Sequence, residues 1–136
     1  MRSAALLAAA SLTLGACAPP GGPAACTPPL EPAVEIDLYF GRDKPAGGEV
    51  SEAEWQAFLA EIVTPRFPDG LSVIDVAGQY RESTGRIVRE RSKRLVIVSF
   101  DAPAHRIRVD EITAAYKQRH GQQSVLRVER PVCAGF

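Results

Sequence analysis

Apolar and polar residues alternate without a break from Val34 to Phe40. Val34, Ile36, Leu38 and Phe40 fall on one side, and Glu35, Asp37 and Tyr39 on the other. That period of two predicts a strand with one buried face. From Ser51 the period changes. Trp55, Phe58, Leu59, Ile62 and Val63 stand at i, i+3, i+4, i+7 and i+8, a single apolar stripe on a helix. Ahead of them Ser51-Glu52-Ala53-Glu54 reads as a capping box, Ser51 accepting from the helix and Glu54 reaching back. Pro65 disfavours helix at Thr64 and predicts the end there. Leu71–Arg81 and Arg86–Phe100 read as two further strands around the turn Ser83-Thr84-Gly85. The apolar run from Leu95 to Phe100 suits a strand in the middle of a sheet. A second helix follows, with Asp101 as its cap and Pro103 in its first turn. It has His105, Val109, Ile112, Ala115 and Tyr116 on one face, and Gly121 as its stop. Ser124–Arg130 is the last strand, with Leu126 and Val128 expected inward and Pro131 expected to interrupt it.

The order β-α-β-β-α-β is the split arrangement of ferredoxin-like α+β sandwiches. It predicts a four-stranded antiparallel sheet in the order 4-1-3-2 with two helices on one face. The uncovered face is expected to carry Glu35, Asp37 and Tyr39 from the first strand and Arg127 and Glu129 from the last. Some of Arg86, Arg89, Arg91, Lys93 and Arg94 are expected there from the third. An acidic strand between basic neighbours makes a cross-strand charge ladder, each pair contributing about 0.2–1 kcal/mol. Such a face is either solvated or a contact surface. In other ferredoxin-like proteins it pairs two subunits as a homodimer or holds a ligand between them.

The first residues follow neither period. Arg2 precedes a short apolar run from Ala4 to Leu14, well short of the roughly 20 residues a membrane span takes. Leu14-Gly15-Ala16-Cys17 then has the form of a bacterial lipobox. Residues 1–16 read as a lipoprotein signal peptide and Cys17 as the lipidated first residue of the mature chain. An ordinary signal peptide cut after an A-x-A-like site is the alternative. Ala18 stands where an Asp would retain a lipoprotein at the inner membrane. The expected location is therefore the periplasmic side of the bacterial cell envelope, as an outer-membrane lipoprotein. Residues 17–33 hold six of the eleven prolines and form an extended tether. Residues 34–136 are left as one domain.

Sixteen basic and sixteen acidic residues balance, which argues against nucleic acid and against a polybasic membrane surface. The membrane is reached through the lipid alone. With Cys17 lipidated, Cys26 and Cys133 remain. An even pair in an oxidising compartment favours a disulfide, free thiols being the alternative. The topology supports pairing, because the start of the first strand lies beside the end of the last.

Catalytic motifs are sparse. His105 and His120 lack a metal-binding spacing, so no metal and no cofactor are expected. No G-x-S-x-G or phosphate-binding glycine loop occurs. The polar residues that a plain fold does not need are Tyr39, Arg42, Arg66, Asp69, Gln79, Tyr80, Arg89, Glu90 and Gln122. They are the candidate ligand or partner residues, with no catalytic residue assigned. Two function classes follow. One is a lipid-anchored module that binds an envelope protein, a glycan or a peptide without catalysis. The other is a small-molecule binder or enzyme of the dimeric α+β type, with a pocket lined by Tyr39, Arg42, Gln79 and Arg89. Whether an enzyme is present stays open, with the first class preferred.

Several strings carry a family resemblance. They are Leu38-Tyr39-Phe40-Gly41-Arg42, Trp55 with Phe58, the loop Thr64 to Gly70, Gly78-Gln79, Arg89-Glu90, Tyr116-Lys117 and Gln122 to Leu126. With them the chain from Ile36 to Phe136 resembles the bacterial family catalogued as domain of unknown function 3574. Tyr80 stands where Trp is expected after Gly78-Gln79. The resemblance implies a small secreted or lipid-anchored protein and no particular chemistry.

Overall fold

A computed structural model describes residues 25–136. The readings of residues 1–16 as a signal, of Cys17 as a lipid site and of the first part of the tether lie outside those residues. The elements are β1 (Glu31–Gly41), α1 (Glu52–Phe58), β2 (Ser72–Arg81), β3 (Ile87–Ser99), α2 (His105–His120) and β4 (Leu126–Ala134). The sheet is antiparallel, in the order β2-β3-β1-β4. It is the ferredoxin-like α+β arrangement.

The capping box at α1 is complete. Glu54 N–H donates to Ser51 Oγ at 3.2 Å, and Ser51 N–H donates to Glu54 Oε2 at 2.8 Å. These bonds satisfy helix-end donors that would otherwise lack partners. Past Phe58 the helix widens into one π-helical turn, Leu59–Val63, with Thr64 N–H donating to Leu59 O at 2.8 Å. The apolar stripe still faces inward across this turn, since Val63 is buried and Leu59 and Ile62 pack against the core. At the end of α2, Gly121 takes φ 69°, a left-handed position that favours glycine.

The core lies between the helices and one face of the sheet. Ile36, Leu38 and Phe40 of β1 and Leu95 and Ile97 of β3 meet Trp55, Phe58, Val109, Ile112 and Tyr116. At its centre Phe40 touches three rings. Centroid separations are 5.3 Å to Trp55, 5.8 Å to Phe58 and 4.7 Å to Tyr116, within the range of favourable edge and tilted packing.

Four expectations are corrected. Leu126 and Val128 do not point inward. They lie opposite Tyr39 and Asp37 and are exposed on the uncovered face. Arg127 and Glu129 therefore face the helices, where Arg127 Nη1 donates to Asp110 Oδ1 at 2.7 Å. A one-residue change of register moves every side chain to the other face, and a strand half-exposed on both faces offers little pattern to set it. Pro131 does not interrupt β4. The strand runs on to Ala134, because an edge strand has a side on which the missing N–H costs nothing. Asp101 does not cap α2, which starts after Ala104 with no side-chain cap. Its carboxylate instead accepts from Ser99 Oγ and Arg108. Finally, β1 starts at Glu31, three residues before the alternation becomes visible.

Cys26 and Cys133 are joined by a disulfide that closes a loop of sequence separation 107. Pro32 lies opposite Cys133 in the β1–β4 ladder, so the bridge fastens the incoming chain to the edge strand. A loop of this length is constrained by about 4–5 kcal/mol in the entropic account. Replacing both cysteines by Ala is expected to lower the urea midpoint by a corresponding amount with the fold retained. An unchanged midpoint would count against the bridge.

His120 is buried beside Phe58 and Tyr116, with no hydrogen-bond partner for Nε2. Burial holds its pKa below the usual imidazole value, against a smaller opposing pull from Glu54. The folded protein thus keeps His120 neutral where the unfolded chain takes up a proton. The stability this gives is full above about pH 6.5 and falls as the pH drops below it. Urea titrations at pH 7 and pH 5 should show a smaller loss for His120→Gln than for the wild type. Equal losses would exclude His120 as the titrating group.

Candidate functional site

The sheet leaves one face without helices, and β1 organises it. Asp37 is only 2% exposed although it lies on that face. Arg94 of β3 reaches it with Nε at 3.1 Å and Nη2 at 3.0 Å, a two-pronged contact. Arg130 of β4 reaches it from the other side at 3.1 Å and also pairs with Glu35. Paired hydrogen bonds between guanidinium and carboxylate are among the stronger charged contacts. Arg94 also lies over the Tyr39 ring, 5.8 Å from its centroid, a cation–π contact. Around this charged centre stand Ile74, Val98, Leu126 and Val128, all exposed. The open face is therefore apolar with an internally neutralised middle. It is not the continuous charge ladder expected from sequence. Arg130 and Arg94 supply the basic partners, whereas Arg91 and Lys93 face the helix side. There Lys93 is buried and bonds Glu52 and Asp75 at 2.7 Å each. Burial disfavours its charge, but the two carboxylates outweigh that and hold its pKa above the usual lysine value.

The nine candidate residues separate into four places. Arg42, Glu90 and Gln122 converge on the segment after β1. Arg42 donates from Nε and Nη2 to Val50 O at 2.8 and 2.7 Å. Gln122 Nε2 donates to Asp43 O at 2.6 Å. Asp43 N–H donates to Glu90 Oε1 at 3.0 Å. The Glu90 carboxylate presses on Gly41 so closely that a Cβ there would lie 2.4 Å from Oε1. Burial raises the Glu90 pKa despite the bond from Asp43 N–H. Tyr116 Oη donates to Gly41 O at 2.8 Å from the core side, and burial pushes its pKa well above the usual tyrosine value. These contacts latch the loop 43–50 onto the sheet end.

Arg66 and Asp69 border a cleft of about 840 Å³ between the loop 65–71, the end of β3 and the C-terminal residues. They do not pair with each other. Arg66 bonds Glu111 and Ile62 O, both at 2.8 Å. Sequence reasoning missed the cleft's other walls, Phe67, Phe100, Arg108 and Phe136. Arg108 stacks on Phe67 at 4.7 Å and pairs with Asp101. The one signal in the chain was the stiff Pro65-Arg66-Phe67-Pro68 loop. Gln79, Tyr80 and Arg89 lie on the β2–β3 hairpin, and Tyr39 on the open face. The pocket expected from Tyr39, Arg42, Gln79 and Arg89 does not form. Arg42 bonds the 43–50 loop, Gln79 and Arg89 oppose each other on the hairpin, and Tyr39 belongs to the opposite side of the sheet.

Among the described residues no three His, Cys, Asp or Glu side chains gather as a metal site. His105 Nε2 lies 3.3 Å from Glu129 Oε1, off the line of a good hydrogen bond, so that both its ring nitrogens lack one.

The architecture is shared with solved α+β structures. A phage SAM lyase in complex with S-methyl-5'-thioadenosine superposes with a TM-score of 0.59 at 14% identity, covering 75% of this chain and 90% of that one. The same phage enzyme in its apo state gives 0.54 at 16%, with 75% and 84% covered. CutA1 from Oryza sativa gives 0.50 at 13%, with 79% and 85% covered. At these identities the likeness is one of fold. No curated protein matches the sequence. Residues 35–136 match the family described as Protein of unknown function (DUF3574), and the chain belongs to that family.

Removing the central carboxylate tests the open face as a unit. Asp37→Ala takes the shared partner from two guanidinium groups that stay part-exposed, Arg130 keeping Glu35, and is expected to cost about 1–3 kcal/mol. Asp37→Asn keeps the shape but sets an NH2 donor against guanidinium donors, so it should cost about as much as Ala. Denaturant melts of both variants check this, and a loss under 1 kcal/mol for Ala would show that the cluster is not coupled.

Proposed function

We propose that this protein is a lipid-anchored module of the bacterial cell envelope that binds a partner without catalysis. The observation that carries the binding reading is the open face of the sheet. Its charged groups are spent on one another, and most of its exposed side chains are apolar. A face of that kind suits contact with a protein, peptide or glycan better than proton transfer. The anchor rests on Leu14-Gly15-Ala16-Cys17. The Cys26–Cys133 bridge fits an oxidising compartment and holds the root of the tether to the domain edge. Three acyl chains, as bacterial lipoproteins carry, would make release negligible.

The small-molecule reading has one point in its favour, a fold shared with a phage SAM lyase that holds S-methyl-5'-thioadenosine. The four side chains expected to line such a site diverge here, so the binding-module reading is preferred. Growth in radioactive palmitate is expected to label the wild type and to leave Cys17→Ser unlabelled and soluble. A photo-crosslinking residue at Val128, on the open face, should capture an envelope component that the same residue at Lys117 does not. An unlabelled wild type sinks the anchor. Equal capture at both positions, or measurable heat on titration with S-methyl-5'-thioadenosine, sinks the binding-module reading.

A further inference from the structure

The β2–β3 hairpin is longer than the sheet it belongs to. β1 stops at the pair Gly41–Ser92, whereas β2 and β3 stay paired from Ala77–Arg91 out to Arg81–Ile87. The inner two pairs are still met by the segment after β1, since Arg42 N–H donates to Arg91 O, Asp43 N–H donates to Glu90, and Arg91 pairs with Glu49. The outer three pairs, Gln79–Arg89 to Arg81–Ile87, and their turn project as a two-stranded arm about 10 Å long. Neither face of these outer pairs is covered. Tyr80 on one face is 53% exposed and Ile87 on the other is 49% exposed. A lone two-stranded ribbon is marginal in water and gains stability from a third strand or an apolar surface.

At the other end of the sheet lies an apolar hollow of matching character. β2 begins opposite Val96, so β3 runs on past it without a β2 neighbour. The cleft between the 65–71 loop and Phe136 opens there, with Phe100 45% exposed. Its volume is several times that of one aromatic side chain.

Charge distinguishes the two ends. Arg81 and Arg89 on the arm have no ion-pair partner among the described residues, and neither does Asp69 at the cleft. The other carboxylate of the cleft, Asp101, is held by Arg108. The arm thus brings unpaired positive charge and the cleft unpaired negative charge. They cannot meet within one chain. β3 spans twelve residue steps from Ile87 to Ser99, which separates them by about 40 Å.

We propose that the arm of one copy docks in the cleft of a second copy, with Tyr80 and Ile87 as the apolar anchors and Arg89 directed to Asp69. Two copies side by side and antiparallel make this contact twice. A head-to-tail series makes it once per copy, as a closed ring or an open filament depending on the rotation between copies. In either case both exposed apolar ends are covered.

The test uses full-length chains in their native membrane. One tagged copy carries Asp69→Cys and a differently tagged copy carries Arg89→Cys, and the cells are exposed to a mild oxidant. The expected product is a species with both tags and twice the chain mass. Adding Tyr80→Ser and Ile87→Ser to the arm copy should reduce it at least tenfold. Both side chains are exposed, and formation of the Cys26–Cys133 bridge in that variant reports that it still folds. Lys117→Cys in place of Arg89→Cys should give no such species. Absence of the two-tag product overturns the proposal. So does a yield indifferent to Tyr80 and Ile87, and so does capture of a different protein by the arm cysteine.

Discussion

Phe40 packed among Trp55, Phe58 and Tyr116 is the contact on which the rest of the structure depends. Phe40 lies on the central strand, Trp55 and Phe58 on the first helix, and Tyr116 on the second. One side chain therefore sets both helices on the same side of the sheet. The opposite side is left bare as a consequence. Tyr116 adds a polar tie, since its hydroxyl donates to Gly41 O. A buried tyrosine needs such a partner, and the bond holds α2 to the end of β1 where the latch over loop 43–50 begins.

The two faces of β1 solve the problem of burial differently. On the helix side Ile36, Leu38 and Phe40 exclude water through apolar area alone. On the other side Asp37 is almost as buried, and a lone carboxylate there would be costly. Arg94 and Arg130 remove that cost from either neighbouring strand. The same logic appears at Lys93, whose ammonium is buried between Glu52 of α1 and Asp75 of β2. The charges that the sequence places on strands are thus largely structural in use. Arg81 and Arg89 of the hairpin and Asp69 of the 65–71 loop have no ion-pair partner among the described residues and stand at the two ends of the molecule.

The candidate site was legible in part. Arg42, Glu90 and Gln122 stood out as polar residues a plain fold does not need, and the structure brings them together on the segment after β1. Glu90 requires Gly41, and Arg42 and Gln122 hold the loop that follows. Their partners are backbone carbonyls and amides, which no side-chain pattern announces, so a ligand role and a latch role look alike in one dimension. The cleft was less legible. Phe67, Phe100, Arg108 and Phe136 come from four separate stretches, and only the closure of the fold brings them together.

The sequence alone determined the element order, the helix-side face of β1 and the capping box at Ser51; it favoured the pairing of Cys26 with Cys133 over free thiols, and the structure joins them. Each follows from a short-range period or from topology with few alternatives. Only the tertiary structure decided the register of β4. Its alternating residues are neither fully buried nor fully exposed, so Leu126 and Arg127 are equally plausible on either face until Tyr39 and Asp37 lie opposite. It also decided that Asp101 serves Arg108 in place of the helix end, and that the β2–β3 hairpin outruns its sheet. Strand length is written in the chain, but whether a neighbour exists to cover it depends on where the other strands stop.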